Sequence, residues 1–205
     1  MSRRSKHITI PVSIIVFLFA ISACGGFGGR YKIDSKHIGD SPTGERFPVS
    51  IRLVLNPELC DHTYTSKRQG AKRVYELGEA FCLSTKDLST RVFKNVTVVS
   101  TEDEGMQGDY DATLIPKVID TSVLVRPGAP PNFEATIIYE CSIVDRDNRT
   151  VFLRTIKENK VYQGYGYEGY KIVMQQAVDE LFLQLGNELA FSPEIKRFAG
   201  SLNTE

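Results

Sequence analysis

The chain has 205 residues, 25 Lys and Arg against 25 Asp and Glu, four cysteines and three histidines. That length builds one domain with a substantial core. The absence of a basic excess argues against nucleic acid or anionic headgroups as partners, and three histidines are too few for most histidine-based metal sites.

The amino terminus has a distinct layout. Arg3, Arg4 and Lys6 precede an apolar stretch from Ile8 to Ala20, and Ile21-Ser22-Ala23-Cys24 follows. A basic segment, a short apolar core and small residues at its end make a secretory signal peptide. The core falls short of the roughly 20 residues of a permanent membrane span, and Pro11 weakens it further. Ile21, Ser22, Ala23 and Cys24 resemble the lipobox of bacterial lipoproteins. The resemblance implies that residues 1–23 are removed and that Cys24 is acylated on its sulfur and on its new amino group. Several acyl chains anchor stably, because each buried methylene contributes about 0.8 kcal/mol. The plainer alternatives are an ordinary signal peptide with a coincidental cysteine and an uncleaved anchor. Gly25, rather than Asp, follows Cys24; by analogy with enteric lipoproteins this implies the outer membrane, with the protein facing the periplasm.

Cleavage removes Arg3, Arg4 and Lys6 but no acidic residue, so the remaining chain is slightly acidic. Gly25-Gly26-Phe27-Gly28-Gly29 and the polar run to Pro48 read as a flexible tether over residues 24–48. The single domain is expected over 49–195 and a carboxy-terminal tail over 196–205. Cys60, Cys82 and Cys141 remain, an odd number for an oxidising compartment. Cys141 shares a strand face with Ala135, Ile137, Tyr139 and Ile143 and reads as a buried thiol. Cys60 with Cys82 is then the candidate disulfide, unless a continuous helix across residues 67–83 holds them apart.

In chain order, Val49, Ile51, Leu53 and Leu55 alternate with Ser50, Arg52, Val54 and Asn56 and predict a half-buried strand ending at Pro57. Asp61 to Gln69 reads as an exposed strand or a loop. Leu77, Phe81, Leu88 and Val92 recur at helical spacing and predict a helix ending near Phe93. Asn95 to Val99 is a short strand expected to enter the core. Residues 101–109 form an acidic loop. Alternation resumes from Tyr110 to Val125, where Pro116, lacking an amide hydrogen, calls for a sheet edge or a bulge. A loop over 126–132 leads to strands Phe133–Val144 and Thr150–Tyr162, joined by a hairpin turn at Asp145 to Arg149. A closing helix runs from Tyr170 to Ala190, with Met174, Val178, Leu181, Leu185 and Leu189 as its buried stripe. The expected fold is α+β, a largely antiparallel sheet with two helices packed on one face.

Asp109-Tyr110-Asp111-Ala112-Thr113-Leu114 opening a central strand, and the Ala135-to-Val144 strand turning at Asp145 to Arg149, resemble small periplasmic lipoprotein domains. That group includes the ABC-transporter auxiliary lipoproteins and the amino-terminal domain of TolB. The pattern spans roughly Val49 to Ala190. It implies a non-enzymatic role: a tethered domain that binds an envelope protein partner, or helps move lipid or polymer between membranes.

The chemical candidates are few. Cys60, Asp61 and His62 invite reading as a ligand set or a Cys-His pair, but adjacent residues on an extended chain do not converge on one point. Glu102, Asp103, Glu104 and Asp109 lack the spacing of a twelve-residue calcium loop and read as solvated. No Gly-x-Ser-x-Gly turn, phosphate loop or dinucleotide fingerprint occurs, and no cofactor is expected. Tyr162-Gln163-Gly164-Tyr165-Gly166-Tyr167-Glu168-Gly169-Tyr170 is the most distinctive segment. Tyr162, Tyr165, Tyr167 and Tyr170 combine apolar area with a hydroxyl on an adaptable backbone, which suits a partner or glycan surface. The alternative is that they pack over the sheet rim. The sequence therefore predicts a lipid-anchored binding, assembly or transport-accessory component, with an envelope hydrolase acting on peptidoglycan or lipid as the competing class.

Overall fold

The computed structural model describes residues 28–35, 46–68, 71–102 and 108–202. Among them the elements run β1 (Gly29–Lys32), β2 (Phe47–Val54), α1 (Pro57–Cys60), β3 (Thr63–Arg68), β4 (Ala71–Glu76), α2 (Gly78–Val92), β5 (Phe93–Val99), β6 (Ala112–Arg126), β7 (Asn132–Asp145), β8 (Thr150–Gln163), α3 (Glu168–Ala190) and α4 (Pro193–Leu202). The fold is α+β.

Period-two alternation makes the main sheet. On β7, Phe133, Ala135, Ile137, Tyr139, Cys141 and Ile143 are buried while the residues between them are half-exposed, so one face is dry and the other wet. β6, β7 and β8 form a long antiparallel meander, from Ala112 opposite Asp145 to Arg126 opposite Asn132 and from Asn132 opposite Gln163 to Val144 opposite Thr150. β2 runs parallel to β6 on one side and to β5 on the other, giving the order β5-β2-β6-β7-β8. A parallel β2–β5 pair needs a long crossover, and α2 lies in it. A smaller sheet of order β1-β4-β3 stands beside the second half of β6, where the Val123 amide donates to the Tyr64 hydroxyl at 3.4 Å.

The helices cover the dry face. α3 buries Met174, Val178, Leu181, Leu185 and Leu189 along one stripe and lies on β7 and β8. α2 lies on β2 and β5 and meets α3, with the Phe81 and Phe182 rings 6.1 Å apart. Both helices and the two sheets share one continuous apolar core. No helix among the described residues is long and apolar enough to cross a membrane.

Several expectations need correction. The segment 24–48 is not tether throughout: Gly29–Lys32 forms β1, Ile33 is fully buried, and Phe47 and Pro48 already belong to β2. The four-residue β1 gains its place by backbone pairing to β4, which leaves no hydrophobic run to read. The tail expected over 196–205 is largely α4, which buries Ile195 and Ala199 against the sheet end formed by β2 and β8. β4 breaks the apolar pattern of a strand, because Arg73 occupies a position of its buried face. β5 is an edge strand that buries only its end residues, Phe93 and Val99, and leaves Val98 exposed. Pro116 sits in a strand between two neighbours, yet β2 pairs with β6 only as far as Leu114. Beyond that point a missing amide hydrogen costs no ladder bond on that side, and a bulge follows between Val118 and Asp120.

Candidate functional site

The tyrosine-glycine segment lies where β8 ends and α3 begins, and its four tyrosines divide into two pairs. Tyr162 stays on the core side of β8, its ring 6.3 Å from Phe133. Tyr170 packs edge-on against Phe133 at 4.8 Å and lies 6.4 Å from Tyr31 of β1. Tyr165 and Tyr167 point outward, 74% and 53% exposed. Gly166 between them has φ of 88°, a left-handed conformation that glycine adopts without strain. The Gly164 amide donates to the Pro131 carbonyl at 3.2 Å, which ties this turn to the loop between β6 and β7. Tyr167 caps α3 without a side-chain hydrogen bond, and Glu168 in the first turn places a negative charge at the positive end of the helix.

β1 and the β3–β4 hairpin close the same end of the molecule. β1 runs parallel to β4, with Gly29 opposite Arg73, and also alongside the start of α3, where the Asp34 amide donates to Gln175 Oε1 at 2.9 Å. The Arg73 guanidinium stacks over the Tyr170 ring at 4.2 Å. It is only 7% exposed, and its Nε has no partner among the described residues. Around it Tyr31 and Tyr75 stack at 5.3 Å, and Tyr64 lies 5.8 Å from Tyr75. Burial pushes the Tyr75 and Tyr31 hydroxyls above their ordinary range, so neutral aromatic rings surround a buried cation. Sequence reasoning missed this cluster. The run Lys67-Arg68-Gln69-Gly70-Ala71-Lys72-Arg73 carries the signal, but a chain-wide charge balance hides it.

Cys60 and Cys82 form a disulfide with Cα atoms 5.4 Å apart. It joins α1 to α2 and closes the base of the β3–β4 hairpin, and α2 starts only at Gly78. A side-chain carbon on Gly78 would fall 2.1 Å from the Cys60 carbonyl oxygen, so the close approach that places the two cysteines requires glycine here. Cys141 is a free thiol buried in the core, where loss of solvation pushes it up to about 12.

The remaining candidates do not assemble. Cys60, held in the disulfide, has no thiolate to pair with His62. The His62 ring sits 5.9 Å from Phe81 with Nε2 buried and without a partner, and burial lowers its proton affinity. Asp61 is exposed. Among the described residues no group of three or more His, Cys, Asp and Glu could hold a metal ion. Glu102 is exposed, Asp109 pairs with Arg146 at 3.1 Å, and Asp103 and Glu104 lie outside the described residues. Cys24 does also.

No protein-family model and no curated protein matches the chain. Among solved structures, protein XCC0632 from Xanthomonas campestris, described with the family DUF330, matches with a TM-score of 0.51 at 11% identity, over 85% of this chain and 98% of that one. A minor lipoprotein from Acinetobacter baumannii matches with a TM-score of 0.40 at 14% identity, over 69% of this chain and 91% of that one. The chain thus has the fold of the Xanthomonas protein along nearly all of that protein's length.

Proposed function

We propose that this chain is a lipid-anchored protein of the bacterial cell envelope. In this reading it is held by acyl chains on Cys24, faces the periplasm from the outer membrane, and acts as a binding or assembly component rather than a hydrolase. The observation that carries the reading is the short distance in sequence between the lipobox and the folded domain. Only Gly25, Gly26, Phe27 and Gly28 separate Cys24 from β1. At no more than about 3.6 Å per residue that spacer keeps the start of the domain within about 18 Å of the anchor. The Cys60–Cys82 disulfide fits an oxidising compartment, and the exposed Tyr165 and Tyr167 offer contact area without a nucleophile beside them.

Mass spectrometry of the mature protein is expected to find the chain starting at Cys24 and carrying diacylglycerol and a third acyl chain. Cys24→Ser should abolish the added mass and release the protein from the membrane fraction. Retention of the Ser variant in membranes would refute the anchor. On a density gradient the native protein should follow outer-membrane markers, and Gly25→Asp should shift it to the inner membrane.

A further inference from the structure

The end of the domain that joins the anchor carries two lysines with no ion-pair partner among the described residues. Lys67 and Lys72 are exposed and directly opposite each other in the β3–β4 register. Like charges facing across a strand pair weaken it, and among the described residues neither lysine has a carboxylate partner. Next to Lys72, the Arg73 guanidinium is buried over Tyr170 with its Nε unpartnered. Two cations of the small sheet are compensated, Arg30 by Glu76 at 2.7 Å and Lys32 by Glu79 at 2.6 Å. So is Arg126, by Glu134 at 2.8 Å. The uncompensated charge is therefore local to the hairpin tip. Glu168, in the first turn of α3, is an acidic group at this end.

The chain enters at the same place. A side-chain carbon on Gly28 would lie 2.7 Å from the Lys72 carbonyl oxygen, so the residue that leads back to the anchor touches the hairpin tip. Through Arg73 and Tyr170 the tip is held beside the turn that displays Tyr165 and Tyr167. Lysines next to exposed tyrosines are the pairing that settles at a bilayer surface: ammonium groups meet headgroup phosphates, and tyrosine rings sit at the water–hydrocarbon boundary.

We propose that this end of the domain, formed by Lys67, Lys72, Tyr165 and Tyr167, lies against the membrane that holds the anchor and binds anionic phospholipid headgroups, fixing the domain upright rather than leaving it to swing on its spacer. The proposal rests on the anchored reading given above. The occupant is a bilayer because the spacer from Cys24 is too short to carry this end far from one, and an anionic one because the hairpin tip presents Lys67 and Lys72 without an ion pair among the described residues. It revises the inference from overall charge balance, which averages the tip with the acidic rest of the chain.

The chain contains no tryptophan, so Tyr165→Trp gives a single reporter at an exposed position. The acylated, full-length mature protein with this substitution is reconstituted into phosphatidylcholine vesicles with and without phosphatidylglycerol, prepared with ordinary or brominated acyl chains. The expected result is a blue shift and bromine quenching that are stronger with phosphatidylglycerol and weaken as salt shortens the screening length. Adding Lys67→Gln and Lys72→Gln should reduce apposition by about fivefold for each lysine, with no fall in thermal midpoint, since the opposed charges are relieved. The proposal is overturned if acylated protein floats with the vesicles yet its indole is unquenched in both lipid mixtures, or if quenching is indifferent to phosphatidylglycerol and to the two lysines. Failure of the anchor itself looks different: no acyl mass and no flotation.

Discussion

Tyr139 is fully buried with its hydroxyl 2.8 Å from Thr85 Oγ1. Thr85 Oγ1 donates in turn to the Phe81 carbonyl at 2.7 Å, so the Tyr139 hydroxyl is the donor in the first bond. Thr85→Val keeps the shape and removes the acceptor; urea unfolding should show a loss of about 1–3 kcal/mol. Adding Tyr139→Phe should return part of it, because no hydroxyl is then left unpaired. Gly166→Ala places a β-carbon at φ of 88° and should cost about 1 kcal/mol, although nothing lies within 4 Å of the new carbon. The burial of Cys141 is legible in sequence because its alternate neighbours are all apolar. The division of the tyrosines is not. Tyr162 turns inward because it stands opposite Phe133 in the register, and Tyr170 because it falls on the first turn of α3. Both facts depend on where strand and helix end, and pattern alone leaves those ends loose.

Polar links between elements contribute to the pH dependence. Arg154 of β8 reaches Glu188 near the end of α3 at 3.2 Å and Glu194 at the start of α4 at 2.8 Å. The hydrogen bond from Arg154, with further bonds from the backbone and from Ser192, holds the Glu194 carboxyl down at about 2. A carboxyl whose folded value is depressed adds stability above its unfolded value and loses it as pH falls toward the folded one. Thermal midpoints should therefore drop between roughly pH 4.5 and 2, and Glu194→Gln should flatten that part of the profile. The disulfide links residues 22 apart, and loop-closure entropy assigns it about 3 kcal/mol. The Cys60→Ser, Cys82→Ser double variant should lose about that much in urea unfolding. Strong alternation on β7 and β8 and helical spacing on α2 and α3 make those elements readable from sequence. β1, β4 and α4 are not, since each is short and borrows its stability: β1 from pairing with β4, β4 from an aromatic cage that shelters Arg73, and α4 from Ile195 and Ala199 pressed onto a sheet end.

For the whole molecule, the decisive length is the spacer. A long tether would let the domain sample many orientations, whereas in the proposed anchored state four residues between Cys24 and β1 would keep the hairpin tip and the tyrosine turn at a high effective concentration near the bilayer. The mean span of a flexible segment grows with the square root of its length, at about 5–6 Å per root residue. Local concentration falls roughly as the three-halves power of length. Inserting sixteen Gly and Ser residues after Gly26 makes the spacer five times longer, so apposition should weaken by about tenfold. The anchor itself should hold unchanged. In the Tyr165→Trp background this predicts unaltered flotation with vesicles and a clear loss of bromine quenching. If quenching persists with the longer spacer, the tip and turn bind strongly enough by themselves, and the short linker is not what orients the domain.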